Sequence, residues 1–187
     1  MPADAWKELR VLTLPGWLDS GAGHWQTLWE ARHGFTRVVQ ADWEWPRRGD
    51  WMARLEEQIL EPDPRPVLLA AHSLGCHLVA AWAAHSRHAA RVRGALLVAP
   101  PDTQREDMSP QLHGWRPIVR GRVPFAAAVI YSDDDPFGTP DFVRQLAHEW
   151  GATAHGIGRA GHINTDSGLG EWPAGLAQLR GLAGDGR

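Results

Sequence analysis

One stretch, Pro66 to Val79 (PVLLAAHSLGCHLV), narrows the fold more than any other part of the chain. Residues 66–71 form a nearly unbroken apolar run behind a proline. Such a run suits a strand buried on both faces, as in a parallel sheet covered by helices. Residues 74–84 (LGCHLVAAWAA) are small or straight-chained, with no proline and no β-branched run, and suit a buried helix. Ser73 therefore sits on the junction between a strand and a helix, with almost no residues left for a loop.

The same rhythm runs through the chain. Short apolar runs at 9–14, 36–41, 66–71, 94–99, 125–131 and 152–157 read as strands. Helical patterns fill 23–33, 49–60, 74–87, 140–150 and 171–182. Trp51, Leu55 and Ile59 make one apolar stripe. Strand and helix alternating at this pitch predict crossover connections and a mostly parallel sheet of about six strands with helices on both faces. With 187 residues the chain suits one α/β domain spanning 1–187. Residues 100–124 break the rhythm; polar and proline-rich, they read as a long surface excursion with one helical turn. Seven of the eleven tryptophans lie within residues 1–51. Core packing accounts for most of them, and some could line an apolar pocket.

In an open parallel sheet the reactive crevice lies outside the carboxyl ends of the strands. Ser73 is placed there, at the end of the third strand. Gly75 follows two positions later and Ala71 precedes by two. This is the strand–turn–helix pattern that exposes a nucleophilic serine, with alanine in place of the first glycine. The pattern alone is weak. Six serines among 46 Gly or Ala and 20 Gly give roughly 0.16 chance matches, so the strand-to-helix context decides.

A serine hydroxyl needs a base, and the base needs an orienting acid. Tyr131-Ser-Asp-Asp-Asp-Pro136 follows the fifth strand, and Gly158-Arg-Ala-Gly-His-Ile-Asn164 follows the sixth. Both fall on the edge that carries Ser73. Asp135 is the expected acid, because Pro136 fixes the chain behind it; Asp134, then Asp133, then Asp102 are the alternatives. His162 is the expected base. His72 adjoins Ser73, but strand neighbours face opposite ways, so it reads as positional. His24 lies near the site's edge and could touch substrate. His77, His85 and His88 read as structural or exposed. An oxyanion needs two N–H donors. Leu74 supplies one by position. Trp17, in the glycine-rich loop after the first strand, supplies the other, with Gly16 or Leu18 as alternatives. No metal-ligand set or phosphate loop is present in the sequence, so no metal and no cofactor is expected.

With these residues assembled, the chain resembles the small α/β-hydrolases of the retinoblastoma-binding-protein-nine and bacterial YdeN type. The resemblance rests on LPGWLDSGAGHWQTLWE (14–30), AHSLGCHLVA (71–80), LLVAPPD (96–102), SDDDPF (132–137) and GHINTDSGLGEWPAG (161–175). It implies a minimal α/β-hydrolase fold without a large lid domain, and serine hydrolase activity through Ser73, Asp135 and His162. It fixes no natural substrate.

The expected reaction is cleavage of a small carboxylic ester, with amide or thioester cleavage by the same machinery as the near alternative. A small, weakly covered site points to short acyl chains. A binding protein on a hydrolase scaffold is the other class, and would use the tryptophan-rich loops if they were exposed. A net charge of −3 gives no electrostatic case for nucleic acid or an anionic membrane. The single cysteine, Cys76, and a first segment (MPADAWKELR) without an apolar h-region predict a cytoplasmic protein. The expected partner is a small acyl substrate, and monomer and homodimer both stay open.

Overall fold

The computed structural model describes residues 6–184. The first five residues of the segment read for a leader, and the last three of the expected 1–187 domain, lie outside them. Six strands form one sheet: β1 (Arg10–Leu14), β2 (Thr36–Arg37), β3 (Val67–His72), β4 (Val92–Val98), β5 (Ala126–Tyr131) and β6 (Thr153–Gly156). Their order is β2-β1-β3-β4-β5-β6, and every pairing is parallel. All six carboxyl ends therefore lie along one edge. The helices between and after them are α1 (Trp25–His33), α2 (Arg48–Leu60), α3 (Leu74–His85), α4 (Pro140–Trp150) and α5 (Pro173–Gly184). This is the expected α/β architecture, and no large lid covers the sheet among the described residues.

The apolar runs of β1, β3, β4 and β5 are continuous because each of these strands feeds two cores. Alternate residues Val11, Leu68, Ala70, Leu96, Val98 and Ile130 pack with Trp25 and Trp29 of α1 and Leu176 and Leu179 of α5. The intervening Leu12, Leu14, Leu69, Ala71, Leu97 and Val129 pack with Trp51 and Leu55 of α2, Leu78 and Trp82 of α3, and Leu146 and Trp150 of α4. Each strand has a two-residue side-chain period, so a central strand with both faces covered shows no polar alternation. Eight of the eleven tryptophans are buried, which settles most of them as core. Trp45 is exposed.

Several boundaries differ from expectation, and four of the differences have a plain cause. β2 keeps only two residues of 36–41, because it is an edge strand: Val38 donates to the Thr13 carbonyl at 2.9 Å and the chain then leaves the sheet. β4 begins at Val92, two residues early, where Val92 registers with Val67. α1 begins at Trp25 rather than 23, since His24 is its N-cap and accepts from the Gln26 N–H at 3.2 Å. α3 stops at His85 because Ser86 turns extended.

The 100–124 segment departs further. It contains a 3-10 helix at Pro110–Trp115, and Met108, Leu112, Trp115, Ile118 and Val123 are buried in the main apolar cluster. It is a flap packed into the core, not a surface loop. Its polar residues hid this, because only about one residue in three or four along it points inward.

A close approach fixes the glycine of the elbow. A Cβ on Gly75 would overlap the Leu14 carbonyl oxygen, so α3 sits directly against the end of β1. Gly181, exposed on α5, has no atom within 4 Å of such a Cβ. Gly75→Ala is expected to lower the unfolding free energy by about 3 kcal/mol, and Gly181→Ala to raise it by about 0.5–1 kcal/mol. Urea titration of both variants checks this.

Candidate active site

Ser73 is the pivot between β3 and α3, with φ 54° and ψ −122°. A non-glycine residue there carries strain of about 1–3 kcal/mol. The surroundings enforce it. The Ser73 N–H donates to the Val98 carbonyl at 2.8 Å, and α3 starts at once with Leu74. Ala71, in place of the usual glycine, is fully buried in the core cluster and leaves the turn intact. Gly16, from the loop after β1, comes so close that a Cβ on it would lie 2.7 Å from Ser73 Cβ and 3.2 Å from Ser73 Oγ.

The structure brings Ser73, His162 and Asp135 into one hydrogen-bonded chain. His162 Nε2 lies 2.9 Å from Ser73 Oγ. His162 Nδ1 lies 3.0 and 2.9 Å from the two oxygens of Asp135. The Asp135 side chain is 2% exposed and also accepts from the Phe137 N–H at 2.9 Å. With the carboxylate as acceptor, Nδ1 carries the proton and Nε2 is free to accept from the serine hydroxyl.

The other candidate acids have different tasks. Asp134 accepts from the Gly161 N–H and the Ser132 hydroxyl and pairs with Arg159, so it ties the His162 loop to the loop after β5. Those hydrogen bonds, led by the one from Gly161, hold its carboxyl below the usual carboxylate range. Asp133 is exposed. Asp102 accepts from the Gln104 N–H and serves its own turn.

Two buried side chains hold the backbone at and after His162. His72 Nε2–H donates to the His162 carbonyl at 2.8 Å, and the Trp25 indole donates to the Ile163 carbonyl at 2.9 Å. Gly161 (φ 55°) and Ile163 (φ 50°) are both left-handed, so these anchors hold a strained turn. The sequence marked His72 as positional, which it is, but gave no sign of Trp25 in this role. His24 does not reach the cleft. It is buried, stacked edge-on against His72 at 4.6 Å, and caps α1. The cap requires an extended residue ahead of Trp25, and that turns its ring inward. His77 is buried, and its Nε2–H donates to the Pro101 carbonyl at 2.6 Å. His85 is bonded to the Ala81 carbonyl and His88 to Glu56. Among the described residues no three His, Cys, Asp or Glu side chains are placed to hold a metal ion.

The loop after β1 is itself strained, with Leu18 at φ 68° and Asp19 at φ 67°. Arg37 braces it, contacting Asp19 at 3.0 Å and Glu30 at 2.9 Å. The Trp17 indole donates to the Glu44 carbonyl at 2.9 Å. Among the described residues neither the Trp17 nor the Leu74 backbone N–H donates to a protein acceptor, while that of Leu18 donates to the Trp43 carbonyl.

A cleft of about 500 Å³ opens over Ser73 and His162. Trp17 lines it, and so do Met108, Leu112 and Phe137. None of the latter three was singled out from the sequence, though residues 103–124 read as a segment that could shape the pocket; Met108 and Leu112 come from it, so the site is better covered than expected.

Against known proteins, a model described as serine hydrolase matches residues 11–181. The chain belongs to the serine hydrolase family. The serine hydrolase is similar to a solved structure from Pectobacterium atrosepticum described as a YdeN-like hydrolase, with 25% identity, TM-score 0.82 and coverage of 96% of this chain and 93% of that one. The ydeN gene product of B. subtilis shares the fold at 22% identity and TM-score 0.71, over 92% of this chain and 97% of that one. A thioesterase domain from the curacin biosynthetic pathway shares it at 15% identity and TM-score 0.59, over 93% and 90%. No curated protein matches the chain. Among the described residues no helix is long and apolar enough to cross a membrane.

Burial keeps several histidines of this serine hydrolase neutral. Desolvation, aided by Arg37 and His162, lowers His24 to about 4. Desolvation alone outweighs the Pro101 hydrogen bond and lowers His77 to about 4. His72 is pushed well below 6.5, first by burial and then by His162 and His24. A second proton on His24 would also turn Nδ1 into a donor facing the Gln26 N–H, destroying the cap. The unfolded chain binds these protons more readily than the folded one. Stability is thus fully present above about pH 6.5 and is lost as pH falls toward 4. Between pH 7 and 5, His24 and His77 are expected to cost about 2 kcal/mol each, read as a lower urea midpoint at pH 5.

Proposed function

We propose that this serine hydrolase cleaves a small carboxylic ester, or a related acyl bond, through a Ser73–His162–Asp135 triad and an acyl-enzyme. The observation that carries this is the 2.9 Å contact between His162 Nε2 and Ser73 Oγ, with Nδ1 of the same ring on Asp135.

Ser73 Oγ attacks the acyl carbonyl carbon while His162 Nε2 takes its proton. Asp135 holds the ring in the required tautomer and stabilises the imidazolium. The carbonyl oxygen becomes an oxyanion, held by the backbone N–H groups of Leu74 and Trp17. The Leu74 donor opens α3, where the helix N-terminus favours negative charge. The tetrahedral intermediate collapses as His162 returns its proton to the leaving atom. Water then repeats the cycle on the acyl-enzyme, with His162 again taking and returning the proton.

Thioester and amide bonds fit the same machinery. Thioesterases occur among proteins of this fold, the curacin-pathway domain being one, so a substrate panel ranks the three bonds. The binding-protein reading loses its motive, since eight of the eleven tryptophans are packed inside. A binder also has no need of an imidazole held at both nitrogens.

A fluorophosphonate probe is expected to label the wild-type protein at Ser73 and not the folded Ser73→Ala variant. Asp135→Asn should leave the fold intact and lower p-nitrophenyl acetate turnover by about 10³–10⁴-fold. Absence of labelling in folded wild-type protein overturns the proposal.

A further inference from the structure

The cleft over Ser73 has two unlike sides. Met108 and Leu112 line it from the flap, and both belong to the same apolar cluster as Leu74, with Trp17 packed against that cluster. That side adjoins the two N–H groups assigned to the oxyanion. The one acidic lining residue, Asp107, has a carboxylate that is 65% exposed and paired with Arg105, so it belongs to the rim.

Beside His162, the Phe137 ring lies edge-on against the imidazole at 4.7 Å, while the Phe137 carbonyl accepts from the Asp102 N–H at 2.8 Å. A second depression of about 570 Å³ shares Phe137, His162 and Asn164 with the first. Arg159, Asp166 and Ser167 make it polar.

The chemistry gives these two sides different tasks. His162 must deliver its proton to the leaving atom, so the leaving group departs past His162, toward Phe137 and the polar depression. The acyl group then extends the other way, under the flap. A space of about 500 Å³ lies within the range of pockets that bury whole small organic ligands, far more than a two-carbon acyl group fills.

Resting on the esterase reading above, we propose that the Met108–Leu112 flap forms an acyl-binding site for an unbranched apolar chain of about six carbons, longer than acetyl. Met108 and Leu112 are the specificity-determining residues. Each added methylene leaves water for an apolar wall worth about 0.8 kcal/mol, which converts to about a fourfold gain in kcat/KM.

The test is a series of p-nitrophenyl esters from acetyl to octanoyl, with wild type, Met108→Trp and Leu112→Ala. In wild type, kcat/KM should rise about three- to fourfold per methylene up to hexanoyl. Met108→Trp fills the branch and should lower the hexanoyl-to-acetyl ratio by more than about tenfold. Leu112→Ala enlarges it and should move the preferred chain toward octanoyl, which keeps the test alive if the tryptophan variant does not fold. Ser73-dependent turnover that is flat or falling with chain length in wild type overturns the acyl-site proposal and leaves the esterase reading standing. So does a hexanoyl-to-acetyl ratio unmoved in a folded variant. No Ser73-dependent turnover of any ester, together with no fluorophosphonate labelling, overturns the esterase reading and the acyl site with it.

Discussion

An imidazole held at both nitrogens is the constraint around which this fold is arranged. His162 can meet Ser73 and Asp135 at once only if three chain segments, 89 residues apart at the extreme, end on the same edge of the sheet. A fully parallel sheet supplies that edge. The residual freedom lies in the loop that carries His162, and four side chains remove it. Ser132 accepts from Ala160, Asp134 accepts from Gly161, His72 donates to residue 162, and Trp25 donates to residue 163. Four consecutive backbone units are thus fixed from three different elements, and the turn keeps left-handed residues on both sides of His162.

Burial and polarity are balanced at the same place. His24, His72 and His162 lie ring against ring, with centroids 4.6 and 4.9 Å apart along the row. Such a row cannot hold three positive charges. Burial imposes neutrality on His24 and His72, and His162 is the one ring of the row with a carboxylate partner. The strained loop after β1 follows the same logic on the other side of the serine. Its two left-handed residues are held by Arg37 between Asp19 and Glu30, and its glycine lets the backbone approach Ser73.

Much of this was legible in the sequence, for identifiable reasons. Continuous apolar runs of five to seven residues announce strands covered on both faces, and the abrupt change of period at Ser73 announces the elbow. Asp135 and His162 were legible because each follows a strand on the reactive edge, and Pro136 singles out one aspartate of three. The edges of the sheet were legible as strands but not in length: β2 keeps two residues of 36–41 and β6 keeps Thr153–Gly156 of 152–157, since exposure and pairing with one neighbour leave a weak pattern. The flap was misread because only about one residue in three or four along it is buried, so Met108, Leu112 and Trp115 look isolated among prolines and charges. His24 read as lying near the site's edge and able to touch substrate because proximity in sequence says nothing about a cap that turns the ring inward. The indole donors were invisible for a simpler reason: a tryptophan in a core and a tryptophan bonded to the loop that carries His162 have the same sequence context.

The central claim is that the imidazole of residue 162 shares a proton-bearing hydrogen bond with the carboxylate of residue 135 while its other nitrogen faces the serine. One-dimensional proton NMR of the intact protein reads that bond directly. The account predicts a far-downfield Nδ1 proton resonance that disappears in folded Asp135→Asn and folded His162→Gln and persists in Asp134→Asn. A spectrum with no such resonance at any pH where the protein is folded, or one that survives loss of Asp135, would contradict it.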